Sequence, residues 1–148
     1  MKILVLHGPN LNLLGRREPH IYGAMTLADI NKKLKTLAKE LGVELIVFQS
    51  NHEGALVDMM HKHIDRVAGA ILNPAGLTQF GVSLHDAIKT MPFPVIEVHI
   101  SNRHQREEWR GHSFISSAAK ATVEGLGWRS YTAALRKLVE IAREAKKT

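Results

Sequence analysis

Tyr22, Arg17, Glu97 and His99 are side chains of the types that move protons and steady developing negative charge. A phenol is neutral near pH 7, with an ordinary pKa of about 10, so Tyr22 can act as a base only where a cation depresses that value. Arg17 precedes it in the same polar segment and is the candidate cation. Glu97 and His99 stand two residues apart in the apolar run Val95 to Ile100. In a strand such residues project to the same side, so the carboxylate can orient the imidazole and favour its protonated form. Each reading has a plain alternative: a tyrosine packed in a solvated turn, and a histidine satisfied by hydrogen bonds in the core.

The segment from His7 to Gly23 gathers polar, cationic and phenolic groups directly after an apolar run, where loops usually carry chemistry. Gly15 and Gly23 bracket its second half, which reads as a lid able to close over a substrate and exclude water. Ser101 reads as the start of a short helix, whose hydroxyl and free amides can bind a carboxylate. The remaining histidines form no ligand set. His61 and His63 diverge on a helix, and His52-Glu53 lacks the second histidine of a zinc helix. His61, His63, His85 and His104 are therefore read as surface groups.

Other chemistries fit poorly. Gly8-Pro9-Asn10 followed by Gly15 is not a dinucleotide fingerprint, and Pro9 removes an amide that could face phosphate. Gly111-His112-Ser113-Phe114-Ile115 lacks the second glycine of a nucleophile elbow. The acidic residues of a phosphate-accepting response regulator are replaced by His7 and Asn73.

These groups need a frame. Short apolar runs at Ile3–Leu6, Val43–Phe48, Gly69–Leu72, Val95–Val98 and Ala121–Glu124 read as strands buried on both faces. Between them, Thr26 with Asp29 makes a helix start, and Leu27, Ile30, Leu34, Leu37 and Leu41 make one apolar face ending at Gly42. Leu56, Met59, Met60, His63, Ile64 and Val67 predict a second helix, and Leu84, Ala87 and Ile88 a third. A last helix is capped by Ser130 and buries Ala134, Leu135, Leu138 and Ala142. Strands alternating with helices predict an α/β, flavodoxin-like, doubly wound five-stranded parallel sheet of order 2-1-3-4-5, in which ligands bind at the strands' carboxyl ends. Those ends are polar: His7 to Asn12, Gln49-Ser50-Asn51, Asn73, and His99-Ile100-Ser101.

With 148 residues and 45% hydrophobic content, a single domain spanning residues 1–148 is expected. No run approaches the length of a membrane span, and the absence of cysteine fits a reducing, cytoplasmic setting. The net charge of +6 sits largely in the last helix among glutamates, and the few aromatics are scattered. Neither pattern makes a nucleic-acid groove, whereas an anionic small molecule suits the charge.

Taken with Val95-Ile96-Glu97-Val98-His99-Ile100-Ser101-Asn102 and Arg106-Glu107-Glu108-Trp109-Arg110, the segment His7 to Gly23 closely resembles the type II 3-dehydroquinate dehydratases over nearly the whole chain. The resemblance implies a cofactor-free, metal-free lyase of the shikimate pathway of aromatic amino acid biosynthesis. Such an enzyme converts 3-dehydroquinate to 3-dehydroshikimate by anti elimination through an enolate. By similarity, Tyr22 removes the C2 proton, Arg17 stabilises its phenolate, and Asn10 holds a water against the enolate oxygen. His99 protonates the departing hydroxyl and Glu97 orients His99. Substrate contacts fall on Asn73, Ile100, Ser101, Asp86 and Arg110, while Glu18 orders the lid. Where the family has a substrate-binding histidine after Asn73-Pro74-Ala75-Gly76-Leu77-Thr78, this chain has Gln79, which cannot be charged and has a different reach. Arg103 and Trp109 receive no role. The family also implies a homododecamer of four trimers, in which Asp86 reaches a neighbour's site. The alternative of another class is a noncatalytic flavodoxin-like module binding a small anion or nucleotide.

Overall fold

The computed structural model describes residues 1–16 and 18–148. Its elements run β1 (Lys2–His7), α1 (Pro19–Tyr22), α2 (Leu27–Leu41), β2 (Glu44–Gln49), α3 (Glu53–Lys62), β3 (Gly69–Asn73), α4 (Val82–Thr90), β4 (Val95–His99), β5 (Ala121–Glu124) and α5 (Arg129–Ala145). All strand pairs are parallel and the sheet order is β2-β1-β3-β4-β5, as the alternation of elements requires. The chain reverses direction across the sheet between β1 and β3, which opens a crevice at their carboxyl ends.

Side-chain alternation divides the sheet between two cores. Ile3 and Val5, with Ile71, Ile96 and Val98, face α2 and α5, whereas Leu4, Leu6, Ala70, Leu72 and Val95 face α3 and α4. The same alternation fixes the polar strand ends: His7 and Asn73 point toward α5, while Glu97 and His99 point to the opposite side. Helix α2 starts with the expected reciprocal cap, in which Asp29 N–H donates to Thr26 Oγ1 at 3.2 Å and Thr26 N–H to Asp29 Oδ2 at 3.0 Å. It buries Ile30, Leu34, Leu37 and Ala38. Each such Leu or Ile contributes about 1.5–3 kcal/mol of burial energy. Among the described residues no helix is long and apolar enough to cross a membrane.

The structure corrects several expectations. β2 and β5 are edge strands with no second neighbour, so their residues are at best partly covered and not buried on both faces. Helix α3 stops at Lys62, leaving His63, Ile64 and Val67 in the turn beyond it. His63 is buried, not a surface group, and its pKa is lowered by burial and then by Lys62, Arg66 and Lys2. Ser130 lies inside α5 behind its start at Arg129. Its hydroxyl accepts from the Leu126 amide at 3.0 Å, a loop contact and not a helix cap.

Candidate active site

The crevice holds a pocket of about 180 Å³ lined by residues from the loops after β1, β3 and β4. Close contact between two of these loops sets its floor. A Cβ on Gly8 would stand 2.6 Å from the Pro74 carbonyl oxygen, so any larger residue pushes the loops apart. The Gly8 amide also donates to the Asn73 carbonyl at 2.8 Å. Asn10 and Ala75, both pocket residues, have φ of 66° and 50°, and Glu18 on the nearby lid has 38°. Backbone in this region persists in non-glycine residues where the surroundings enforce it, commonly at functional sites.

Below the pocket runs a chain of buried polar groups whose donors and acceptors match in sequence. Asn73 Nδ2 donates to the Tyr131 hydroxyl at 3.0 Å, and that hydroxyl lies 3.0 Å from His7 Nδ1. His7 Nε2 lies 2.8 Å from Asn31 Oδ1, so a neutral imidazole with its proton on Nε2 completes the chain. Burial lowers the His7 pKa to about 4, against the weaker opposing hydrogen bond of Asn31. Burial likewise pushes the Tyr131 phenol well up, so the network is uncharged near pH 7. The Asn73 carbonyl oxygen is pinned by the Ala75 amide at 3.0 Å, which fixes the side chain where it meets the pocket.

On the other side of the sheet, Glu97 is fully buried and collects four donors. Its Oε1 lies 2.6 Å from His99 Nε2 and accepts from Ser113 Oγ at 3.0 Å. Its Oε2 accepts from Ser116 Oγ at 2.6 Å and Thr122 Oγ1 at 3.2 Å. The amides of Ile115 and Ser116 hold Ser113 Oγ and so turn its proton toward the carboxylate. Burial is the largest single influence and would raise the Glu97 pKa. The bond and charge of His99, with Ser116 and Ser113, outweigh it and hold the carboxyl below its ordinary range. With Nε2 committed to Glu97, Nδ1 is the His99 nitrogen left for a ligand.

Tyr22 closes the pocket from the lid. The Arg106 guanidinium carbon sits 5.1 Å from its ring centre, and Arg106 Nη2 is 3.7 Å from Glu18 Oε2. A cation held over the ring and paired with Glu18 ties α1 to the segment after β4 and favours any negative charge that forms on the phenol. Gly15 and Gly23 have φ of 90° and 80°, so the turns at both ends of the lid use conformations that other residues rarely adopt.

Asn10, Tyr22, Asn73, Gln79, His99, Ile100, Ser101 and Arg110 all line this pocket, and Glu97 stands behind His99. Arg17 lies outside the described residues. Asp86 is not brought into the pocket: it is exposed on α4, with Oδ1 3.2 Å from His85 Nδ1. His85 is half-buried, with Nε2 3.3 Å from Ser117 Oγ, so it too departs from a plain surface group. Ser101 does not start a helix. Asn102 caps the 3-10 turn Arg103–Gln105 by accepting from the His104 amide, because its side chain has the reach of an N-cap and Ser101 precedes it. Gln79 Nε2 donates to the Arg110 and His112 carbonyls at 3.2 and 3.1 Å, so both amide hydrogens are spent and Oε1 is what it offers a ligand.

Sequence reasoning missed Arg106, the three hydroxyls around Glu97, and the partners of His7. Arg106 had a local signal in its run of charged residues. Ser113, Ser116 and Thr122 had none, since the turn before β5 and the β4–β5 register, with Glu97 opposite Thr122, bring them together.

Comparison with known proteins gives a consistent set of relatives. The family model described as dehydroquinase class II matches residues 1–139. A 3-dehydroquinate dehydratase of Herpetosiphon aurantiacus is 50% identical over 135 residues, covering 91% of this chain and 94% of the relative. One from Endomicrobium trichonymphae is 51% identical over 140 residues, covering 95% and 98%. The crystal structure of a type II dehydroquinase from Butyrivibrio crossotus superposes with a TM-score of 0.91 at 36% identity, covering 93% of this chain and 97% of that one.

Proposed function

The chain belongs to the class II dehydroquinase family, and from that premise we propose how its pocket dehydrates 3-dehydroquinate to 3-dehydroshikimate, a lyase step of the shikimate pathway. The C2 proton of the substrate is made acidic by the neighbouring C3 ketone. Tyr22, as phenolate, takes it, and the electron pair moves into an enolate whose charge rests on the C3 oxygen. Arg17 and Arg106 favour the phenolate, and Asn10 holds the water that meets the enolate oxygen. The enolate then re-forms the ketone, the C1–C2 double bond forms, and the C1 hydroxyl leaves with a proton from His99 Nδ1 as water. Glu97 keeps the imidazole oriented and favours its protonated form.

The observation that carries this reading is the Glu97 cradle: four donors maintain a buried carboxylate whose remaining use is to hold His99 at the pocket wall. Asn73, Ile100, Ser101, Gln79 and Arg110 are the substrate contacts in the same proposal. Gln79 accepts from a substrate hydroxyl through Oε1. The fully exposed placement of Asp86, beside the exposed apolar Val82 and Phe80, supports a trimer-based dodecamer in which Asp86 serves a neighbouring copy's pocket. One domain covering residues 1–148, no resident cofactor and a cytoplasmic location complete the proposal.

Adding the protein to 3-dehydroquinate and following the ultraviolet absorbance of the conjugated enone tests it, with Tyr22→Phe as the control. A rise with the natural chain and none with the variant is expected. No rise with either, from folded protein, would overturn the assignment. A monomeric mass by light scattering, with full activity, would overturn the role given to Asp86.

A further inference from the structure

Arg103 occupies the turn two residues beyond Ser101 and lines the pocket, yet it is only 7% exposed. Its Nε donates to Glu124 Oε2 at 2.7 Å at the end of β5, and His104 Nε2 stands 3.6 Å from the other oxygen of that carboxylate. One edge of the guanidinium is thereby fixed. Its Nη1 is buried and, among the described residues, has no hydrogen-bond partner. A guanidinium presents five donors in a rigid fork, so anchoring Nε on Glu124 fixes the direction of the opposite arm as well. A buried charged donor left without an acceptor is costly, and a pocket wall is the place where a ligand can supply that acceptor.

We propose that Arg103 is a specificity-determining residue whose Nη1 donates to the substrate's carboxylate, holding it against the Ile100-Ser101 backbone. This rests on the reading of the pocket as a 3-dehydroquinate site. The carboxylate is the substrate group with full negative charge, and a charged donor bonds an ionised acceptor about twice as strongly as a neutral one. Ser101, already argued as a carboxylate contact, lies on the same loop. Glu124 neutralises most of the added charge, so Arg103 supplies direction without making the pocket a general anion trap.

The test compares the natural chain, Arg103→Met and Arg103→Lys in steady-state turnover of 3-dehydroquinate, and in competitive inhibition by quinate and by its carboxamide. The natural chain must turn over 3-dehydroquinate, which checks the underlying reading separately. Arg103→Met is expected to raise KM roughly 10- to 100-fold, with kcat within about threefold, because the lost bond is present before and during the chemistry. The preference for quinate over the carboxamide should collapse by a similar factor. A merely structural Arg103 would weaken both inhibitors alike and keep their ratio, and that result overturns the proposal, as does an unchanged KM. Should Arg103→Met fail to fold, Arg103→Lys reads the same ratio. Its single ammonium cannot serve Glu124 and the ligand together, so the preference should still fall, and full retention overturns the proposal.

Discussion

The two walls of the pocket are built on opposite terms. The sheet wall, with Glu97, His99, Asn73, Tyr131 and His7, is buried, and its hydrogen bonds are fixed on strand ends and on α5. The lid wall, with Tyr22 on the four-residue α1, buries none of that helix and is tied down by Arg106 and Glu18. Acid and orienting groups are thus placed where packing fixes them, and the base where it can move. Motion of functional segments is drawn from regions of few buried contacts, so this division lets the site open without disturbing the half that sets geometry.

Breaking each wall separately exposes the difference. Tyr22→Phe should lower kcat by about a thousandfold, within the range of a lost general base, while leaving the melting temperature unchanged. A calorimetric shift of several degrees would contradict the separation. Glu97→Gln should lower kcat by about a hundredfold, because His99 loses the charge that favours its protonated form. Unlike the lid variant it should also melt earlier, since an amide cannot accept from all four donors. Both readouts come from one preparation of each variant.

Acid should sharpen the contrast. The folded pKa of His7 near 4 lies below the unfolded value near 6.5, so the unfolded chain binds more protons between these limits. Stability present at neutral pH is therefore lost as pH falls, by about 2 kcal/mol between pH 7 and pH 5. Urea unfolding at the two pH values measures the loss, and His7→Gln, which cannot titrate, should flatten it. Glu97 adds its own loss below the ordinary carboxylate range, since its folded pKa is lowered too. The smallest effect belongs to Gln79→His. It should change KM for 3-dehydroquinate by about 3- to 10-fold with little change in kcat, the size of one exchanged hydrogen bond. An unchanged KM would remove Gln79 from the binding residues.

Sheet order and the strand-end residues were legible in the sequence because both follow from periodicity. Alternation in β4 alone put Glu97 and His99 on one side. Helix boundaries after α3 and before α5 were less legible: His63 to Val67 continue the apolar spacing, yet the chain turns at His63 to reach β3. Ser130 is a favoured capping residue whose hydroxyl is taken by Leu126. The Glu97 hydroxyls and the Asn31–His7–Tyr131–Asn73 chain join residues up to 124 positions apart, and no local pattern carries such pairings. Arg103 belongs with these, since its meaning depends on Glu124 across the sheet end.

The contact of Gly8 with Pro74 bears on how such a site diversifies. Since no side chain fits between them, the loops after β1 and β3 must change together or not at all, and variation that enlarges one alone is purged as misfolding. Heritable drift in ligand preference is thereby channelled to positions outside that contact, such as Gln79 and Arg103, where a single replacement alters what the pocket selects and leaves its frame standing.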